Sequence, residues 1–316
     1  MKSVKTLVIF TMLAIGISGC KDELSEEDAF IAGLVGGTIA NSSTTTTNPT
    51  DPTTSLVENP VAISAGLDHT CAIDSISGVV CWGGYDTTVT NVPSMNSPTQ
   101  IATGWGFSCA IDSTGVICWG NNAFGQITVP TLTAPVKVVT GYNHTCALDS
   151  TGVVCWGINT EGQTTIPALT SPTDISAGAN HTCALDSTGV VCWGDNSTGQ
   201  TTVPVLSNPT QIAAGGFHTC ALDSTGVVCW GSNISGQTTV SALLNPVKIA
   251  AGTNHTCALD STGVVCWGSN SHGQTTLPAL LNPVKIAAGS LHTCAIDSPG
   301  ILYCWGDNSS GQIDVP

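Results

Sequence analysis

From Pro60 onward the apolar residues come in short runs, each cut off by Gly, Asp, Ser or Pro. In residues 136–157 the runs are VKVVT, then His144 to Leu148, then Val153 to Trp156. Runs this short and this rich in β-branched residues predict strands. No window carries apolar residues at helical spacing, which rules out a helical solenoid. The second and third runs flank Asp149-Ser150-Thr151-Gly152. Asp opens a type I turn with its side chain, and Gly accepts the left-handed conformation that ends it, so the two runs predict a hairpin. Residues 163–166 predict a fourth extended piece before Pro167. One face of the hairpin carries Cys146, Leu148, Val153 and Cys155; the other carries Thr145, Ala147, Val154 and Trp156. Apolar or small residues on both faces mean a sheet covered on both sides.

The pattern then repeats. Pro98, Pro135, Pro172, Pro209, Pro246 and Pro283 stand 37 residues apart, and Pro60 precedes them by 38. Trp82, Trp119, Trp156, Trp193, Trp230, Trp267 and Trp305 mark the same place in seven units. Seven small sheets, each needing cover on both faces, predict an all-β fold: a seven-bladed β-propeller of 37-residue repeats over residues 60–316. The last unit stops after GQIDVP, without the strand that follows this segment elsewhere. Val61–Gly66 is therefore expected to pair into the blade containing residues 292–316, building one blade from both termini and hiding its edges.

The first 59 residues do not repeat. Lys2 and Lys5 precede the apolar run Thr6–Ser18, which is too short to span a bilayer comfortably. Gly19 and Cys20 follow, and ISGC resembles a bacterial lipobox. This implies a lipoprotein signal peptide at 1–19 and lipidation of Cys20, with Lys21 after it pointing to the outer membrane or cell surface. Residues 21–40 hold the pattern of a short helix capped by Ser25, with Glu26, Glu27 and Asp28 in its first turn. Residues 41–55 contain no apolar residue and read as a disordered tether, so 20–59 is a lipidated linker.

Charge narrows the partners. The chain has a net charge of −15, no Arg, and six Lys, of which only Lys137, Lys248 and Lys285 lie beyond residue 21. Nucleic-acid binding needs clustered cations and is excluded. An acidic surface also disfavours anionic headgroups, so the expected membrane contact is through the lipid on Cys20 alone. A monomer without cofactor or metal is expected.

The motif HTCALDSTGVVCWG, intact in four units, resembles the regulator-of-chromosome-condensation repeat. The short period and the segment WGDNSTGQTTVP at 193–204 are closest in look to the secreted bacterial propellers of the β-lactamase inhibitor protein II type. The resemblance covers residues 60–316 and implies a propeller; it says less about function, since one fold hosts many. Unit 1 departs from it, because YDTTVTNVP lacks the Gly-Gln pair. Unit 2 departs in having Phe107 where the others have His.

Apart from Cys20, the cysteines form seven pairs: Cys71 with Cys81, Cys109 with Cys118, Cys146 with Cys155, Cys183 with Cys192, Cys220 with Cys229, Cys257 with Cys266 and Cys294 with Cys304. The two longer spacings carry one extra residue in the turn, so every pair can face directly across its hairpin, within disulfide range. An oxidising compartment favours bridges. Two other readings stand: fourteen buried thiols, or zinc shared between hairpins, which would need four ligands per site.

Six histidines share one repeat position: His69, His144, His181, His218, His255 and His292. They read as packing against the next blade, or as a ring of metal ligands. Seven Asp, from Asp74 to Asp297, open the turns and read as structural. No catalytic residue is expected, because catalysis needs unlike groups brought together once. The non-repeated aromatics are more informative. Trp105, Phe107, Tyr142 and Phe217 precede the His-Thr-Cys strand, and Tyr85 and Phe124 follow the Trp-Gly. Two readings stand for them: a protein-binding surface on a rigid scaffold, or plugs for the channel and gaps between blades. The expected function is an exported, surface-anchored protein-binding module, for instance an inhibitor or ligand of an envelope or extracellular enzyme. A polysaccharide-active propeller enzyme and an adhesive protein without a ligand site are the alternatives.

Overall fold

A computed structural model describes residues 57–76 and 78–316. The leader, Cys20, the helix pattern of 21–40 and the linker of 41–55 lie outside the described residues. Each unit forms a three-stranded antiparallel sheet, and seven such sheets make blades 1 to 7, at residues 60–83, 100–120, 137–157, 174–194, 211–231, 248–268 and 283–306. In blade 3 the inner strand is Lys137–Thr140, the middle strand His144–Asp149 and the outer strand Gly152–Gly157. The fourth extended piece is absent: residues 161–164 form a turn.

The middle strand of every blade is buried throughout, as a sheet covered on both faces requires. The core lies in the seams between blades. Cys146 and Leu148 of blade 3 pack against Ile175, Ala184 and Trp193 of blade 4. The same set recurs around the ring, and Cys294, Ile296 and Leu302 of blade 7 close onto Ala72 and Trp82 of blade 1. Val57 joins that seam at 3% exposure, so the folded region begins before Pro60.

Closure differs from expectation. The strand Pro60–Ala65 pairs within its own blade, Ile63 opposite Ala72 and Ala65 opposite Thr70. Blade 7 has its own inner strand, Pro283–Ala288. No strand is missing, because three strands complete a blade inside one unit. The segment after the outer strand instead crosses to the next blade. The Gln126 carbonyl accepts bonds from Trp156 Nε1 at 2.9 Å and Thr145 Oγ1 at 2.8 Å. Gln312 does the same for Trp82 at 3.0 Å and Thr70 at 2.8 Å, and this shuts the ring. Unit 1 lacks the Gly-Gln pair, yet Val89 O takes the same place and accepts from Trp119 Nε1 at 2.9 Å.

All seven cysteine pairs sit opposite one another in register and are bonded. The bridges are Cys71–Cys81, Cys109–Cys118, Cys146–Cys155, Cys183–Cys192, Cys220–Cys229, Cys257–Cys266 and Cys294–Cys304, with S–S distances of 2.02–2.09 Å. The extra turn residue in blades 1 and 7 does not disturb this register. The bonds displace both other readings, free thiols and shared zinc. The reading of fourteen buried thiols fails on burial as well. Each middle-strand member, from Cys71 to Cys294, is 0% exposed. Their outer-strand partners Cys81, Cys118, Cys155, Cys192, Cys229, Cys266 and Cys304 are only partly buried. The reason is the three-stranded sheet: the outer strand is its edge, with no fourth strand beyond it. Each bridge therefore ties a buried strand to an edge strand. Seven bridges fit an exported protein.

The histidines bind across the seams. His144 Nε2 meets Thr182 Oγ1 of the next blade at 2.9 Å, and equivalent contacts of 2.8–2.9 Å follow at His181, His218, His255 and His292. Each such Thr hydroxyl donates its one proton to a Gln carbonyl, as Thr182 does to Gln163 O at 3.0 Å. It therefore accepts from the histidine, which fixes the proton on Nε2. The Nδ1 atoms are buried without a partner. A side chain on Gly141 would come within 2.5 Å of His144 Nδ1 and 2.4 Å of Gly178 O, so the inner strand must end in glycine there.

Candidate binding face

Antiparallel order sends two connections of each unit to the same end of its blade: the inner-to-middle loop and the segment leaving the outer strand. The Asp-Ser-Thr-Gly turns lie at the opposite end. Backbone bonds join the first two, Asn121 N to Gly106 O at 2.8 Å and Ile158 N to Asn143 O at 2.9 Å. The ring thus has a loop face and a turn face, and the aromatics of both loop positions share the loop face.

On that face Trp105 is 48%, Phe124 50% and Tyr85 78% exposed. Tyr142 and Phe217 are half-buried. The Trp105 and Tyr142 rings meet edge to face with centroids 5.9 Å apart, an arrangement aromatic quadrupoles favour. Tyr142 stands at the mouth of a central channel walled by Ala, Gly and Thr from all seven blades. Its hydroxyl reaches Thr253 of blade 6 at 3.1 Å, and Thr253 donates to Ser290 of blade 7 at 3.0 Å. Burial raises the Tyr142 phenol above its ordinary pKa, partly offset by Thr253, so the bridge is neutral. Tyr142 therefore reaches across the channel mouth, while Trp105, Phe124 and Tyr85 face solvent.

Phe107 departs from the expected set. It begins a middle strand in the histidine position and is 0% exposed, packed against Val138 of blade 3. No partner can touch it. The residue before it, not Phe107 itself, belongs to the loop. Ile234 lies outside the expected set: it is 86% exposed, after the outer strand of blade 5. The signal is present in the sequence, since the equivalent positions carry Ala123, Thr160, Ser197 and Ser271.

One constellation has the look of a catalytic triad. His69 Nε2 lies 2.8 Å from Ser108 Oγ, and His69 Nδ1 lies 3.3 Å from Asp68 Oδ1. Burial raises the Asp68 carboxyl, but the His69 hydrogen bond and charge outweigh it and hold the pKa low. Ser108 and His69 are both 0% exposed, so no substrate reaches the hydroxyl. Ser108 stands where the other seams use Thr. The turn Asp residues are likewise occupied: Asp149 accepts from Thr133 N at 2.8 Å and from Thr151 N and Oγ1 at 2.7 Å. Among the described residues no three His, Cys, Asp or Glu gather as metal ligands.

Comparison with known proteins agrees with this architecture. The regulator of chromosome condensation (RCC1) repeat matches residues 99–126, 136–163, 173–200, 210–237, 247–274 and 284–312. The crystal structure of the CRINKLY WD40 ectodomain of the Arabidopsis thaliana receptor kinase ACR4 is 26% identical with a TM-score of 0.67, covering 82% of this chain and 99% of that one. The entire ectodomain of the Physcomitrella patens receptor kinase CR4 is 25% identical with a TM-score of 0.68, covering 79% and 74%. Prp20p of Saccharomyces cerevisiae, described with its binding properties to Gsp1p and histones, is 20% identical with a TM-score of 0.64, covering 81% and 84%. No curated protein matches the sequence. Matched unit by unit over more than half its length, the chain belongs to the RCC1 repeat family.

Proposed function

We propose that this chain is an exported lipoprotein, held to the envelope through Cys20, whose propeller binds a protein partner with its loop face. One observation carries the binding: Trp105 lies half-exposed against Tyr142 at the channel mouth, on a scaffold made rigid by seven bridges. Large aromatics held in place by a scaffold lose little freedom when a partner covers them, and such residues dominate interface energy. Phe124, Tyr85, Phe217 and Ile234 extend the same surface. Two relatives near one-quarter identity are receptor ectodomains, which suits an exported protein. An envelope or extracellular enzyme is one concrete form of partner.

The test has two arms. Cys20→Ala should move the protein from the membrane fraction to a soluble exported form; retention in the membrane overturns the anchor. Photo-crosslinking from position 124 in intact cells should trap a discrete protein partner, and Trp105→Ala should abolish the adduct. A crosslinking pattern unchanged by Trp105→Ala overturns the loop-face reading.

A further inference from the structure

The turn end of the inner strands carries a different chemistry. Residues 57–316 contain three cationic side chains besides histidine, Lys137, Lys248 and Lys285, and all three occupy the second position after the repeat proline. That position lies at the start of the inner strand, toward the turn face, in blades 3, 6 and 7. The equivalent residues elsewhere are Ala62, Gln100, Asp174 and Gln211.

The glutamines show what this position faces. Gln100 Oε1 accepts from Val138 N at 2.8 Å, and its Nε2 donates to Val138 O at 2.8 Å. Gln211 does the same with Ile249, at 3.0 and 3.2 Å. The inner strands of blades 3 and 6 thus turn the N–H and C=O of this residue toward the preceding blade, and glutamine satisfies both. Asp174 takes the N–H of Ile175 at 3.0 Å and also pairs with Lys137.

By the repeat register, Lys248 occupies the position from which glutamine would accept from the N–H of Ile286, and Lys285 the equivalent position before Ile63. An ammonium has protons to give and no lone pair to accept with. Lys285 donates to Val61 O. Lys248, half-buried, has no hydrogen-bond or ionic partner among the described residues. Burial lowers its pKa, and the charges of Lys285 and Lys137 lower it further. The seam between blades 6 and 7 thus carries an ammonium at the position where glutamine supplies an acceptor in other seams, in a chain otherwise strongly acidic.

We propose that this turn end of the inner strands is an anion site, with Lys248 Nζ, Lys285 Nζ and the Ile286 N–H as donors, for a ligand of the carboxylate or phosphate class. Hydrogen bonds from an ammonium to such an oxyanion are the strong, charge-assisted kind. The acceptor that Gln100 and Gln211 supply in their own seams is supplied here from outside. The site lies away from the loop face and stands or falls independently of partner binding there.

The repeats provide the test variant. Lys248→Gln installs the residue that blades 2 and 5 already use, so the ring should fold with undiminished thermal stability. Inorganic phosphate and acetate are titrated separately against the full chain, with chloride at equal ionic strength as the reference. Wild type should show a ligand-dependent rise in Tm with at least one of them, and a shift of the Ile286 amide resonance. In Lys248→Gln the affinity should fall at least about tenfold, and further in Lys248→Gln with Lys285→Gln. A response to both anions marks a general oxyanion site, and a response to one names the ligand class. No response from wild type to either, or equal responses from wild type and Lys248→Gln, overturns the proposal.

Discussion

The hydroxyl of Tyr142 and that of Thr253, on blades 3 and 6, lie 3.1 Å apart across the mouth of the channel. The bond joins two blades that are not neighbours in the ring. Tyr142→Phe keeps the ring against Trp105 and deletes the bridge. It should cost about 1 kcal/mol, the usual net worth of a hydrogen bond, read as a lower urea midpoint.

Trp105→Ala should do the reverse. Its side chain is half-exposed, so the midpoint should move little, while partner affinity should fall by about 2 kcal/mol or more, roughly thirtyfold. Equilibrium binding and denaturation measured on the same preparations would separate the two roles. A large loss of stability without loss of binding would make Trp105 structural.

Acid should loosen the seams before it reaches the carboxylates. Burial pulls His144, His218 and His292 down to about 4, and His181 and His255 to about 3. Unfolded histidine protonates near 6.5. Between these values the unfolded chain binds more protons, so stability is complete above about pH 6.5 and falls as pH drops toward 4 and below. Each ring steepens the fall by up to about 1.4 kcal/mol per pH unit. The Thr133 N–H, and then the Thr151 hydroxyl, hold the Asp149 carboxyl below the ordinary carboxylate range. Urea midpoints at pH 7, 5.5 and 4.5 should decline steadily, and His181→Phe, copying Phe107, should flatten the curve.

Reduction should cost each blade separately. A bridge closing a loop of about ten residues is worth on the order of 2–3 kcal/mol in the chain-entropy model. Non-reducing peptide mapping should find each hairpin linked to itself, Cys146 to Cys155, Cys183 to Cys192, and so on around the ring. Cross-links between blades would contradict the register.

Closure should depend on the last residues of the chain. Removing residues 311–316 takes away the carbonyl that accepts from Trp82 and Thr70. Two buried donors would be left unpaired, each costing about 1–3 kcal/mol. Thermal unfolding should shift well below wild type, and fluorescence of Trp82 should report solvent entry at the seam between blades 7 and 1.

Blade number, hairpins and cysteine register are legible in the sequence because local chemistry sets them. Asp149 and Gly152 define the turn, and the turn fixes which residues stand opposite. The unequal burial of the two sulfurs in each bridge is not legible, because it depends on how many strands a blade has. What lies between units is harder for the same reason. Gln163 to Ile166 carry strand-forming residues, yet the carbonyl of Gln163 is claimed by Trp193 of the next blade, which folds the segment as a turn. The misplacement of Val61–Gly66 follows from it, since a fourth strand per blade would leave blade 7 one short. Phe107 is aromatic and unrepeated, which draws it toward the loops, although alignment with His144 already places it in a buried strand. The meeting of Tyr142 with Thr253 joins positions with no sequence relation and comes only from the closed ring.

The hand-over from each unit to the next has a consequence for how such a ring arises and changes. Every outgoing segment offers a backbone carbonyl, whether from Gln126, Gln312 or Val89, and every receiving blade offers the same indole and, except in blade 2, the same threonine. A carbonyl is indifferent to the side chain that bears it, so this hand-over makes no demand on which residue of the outgoing segment supplies it. Gene segments encoding single units could be duplicated, lost or shuffled without losing this bond. Individual faces, such as the aromatic sector or the lysine seam, would then diverge freely upon an interchangeable frame.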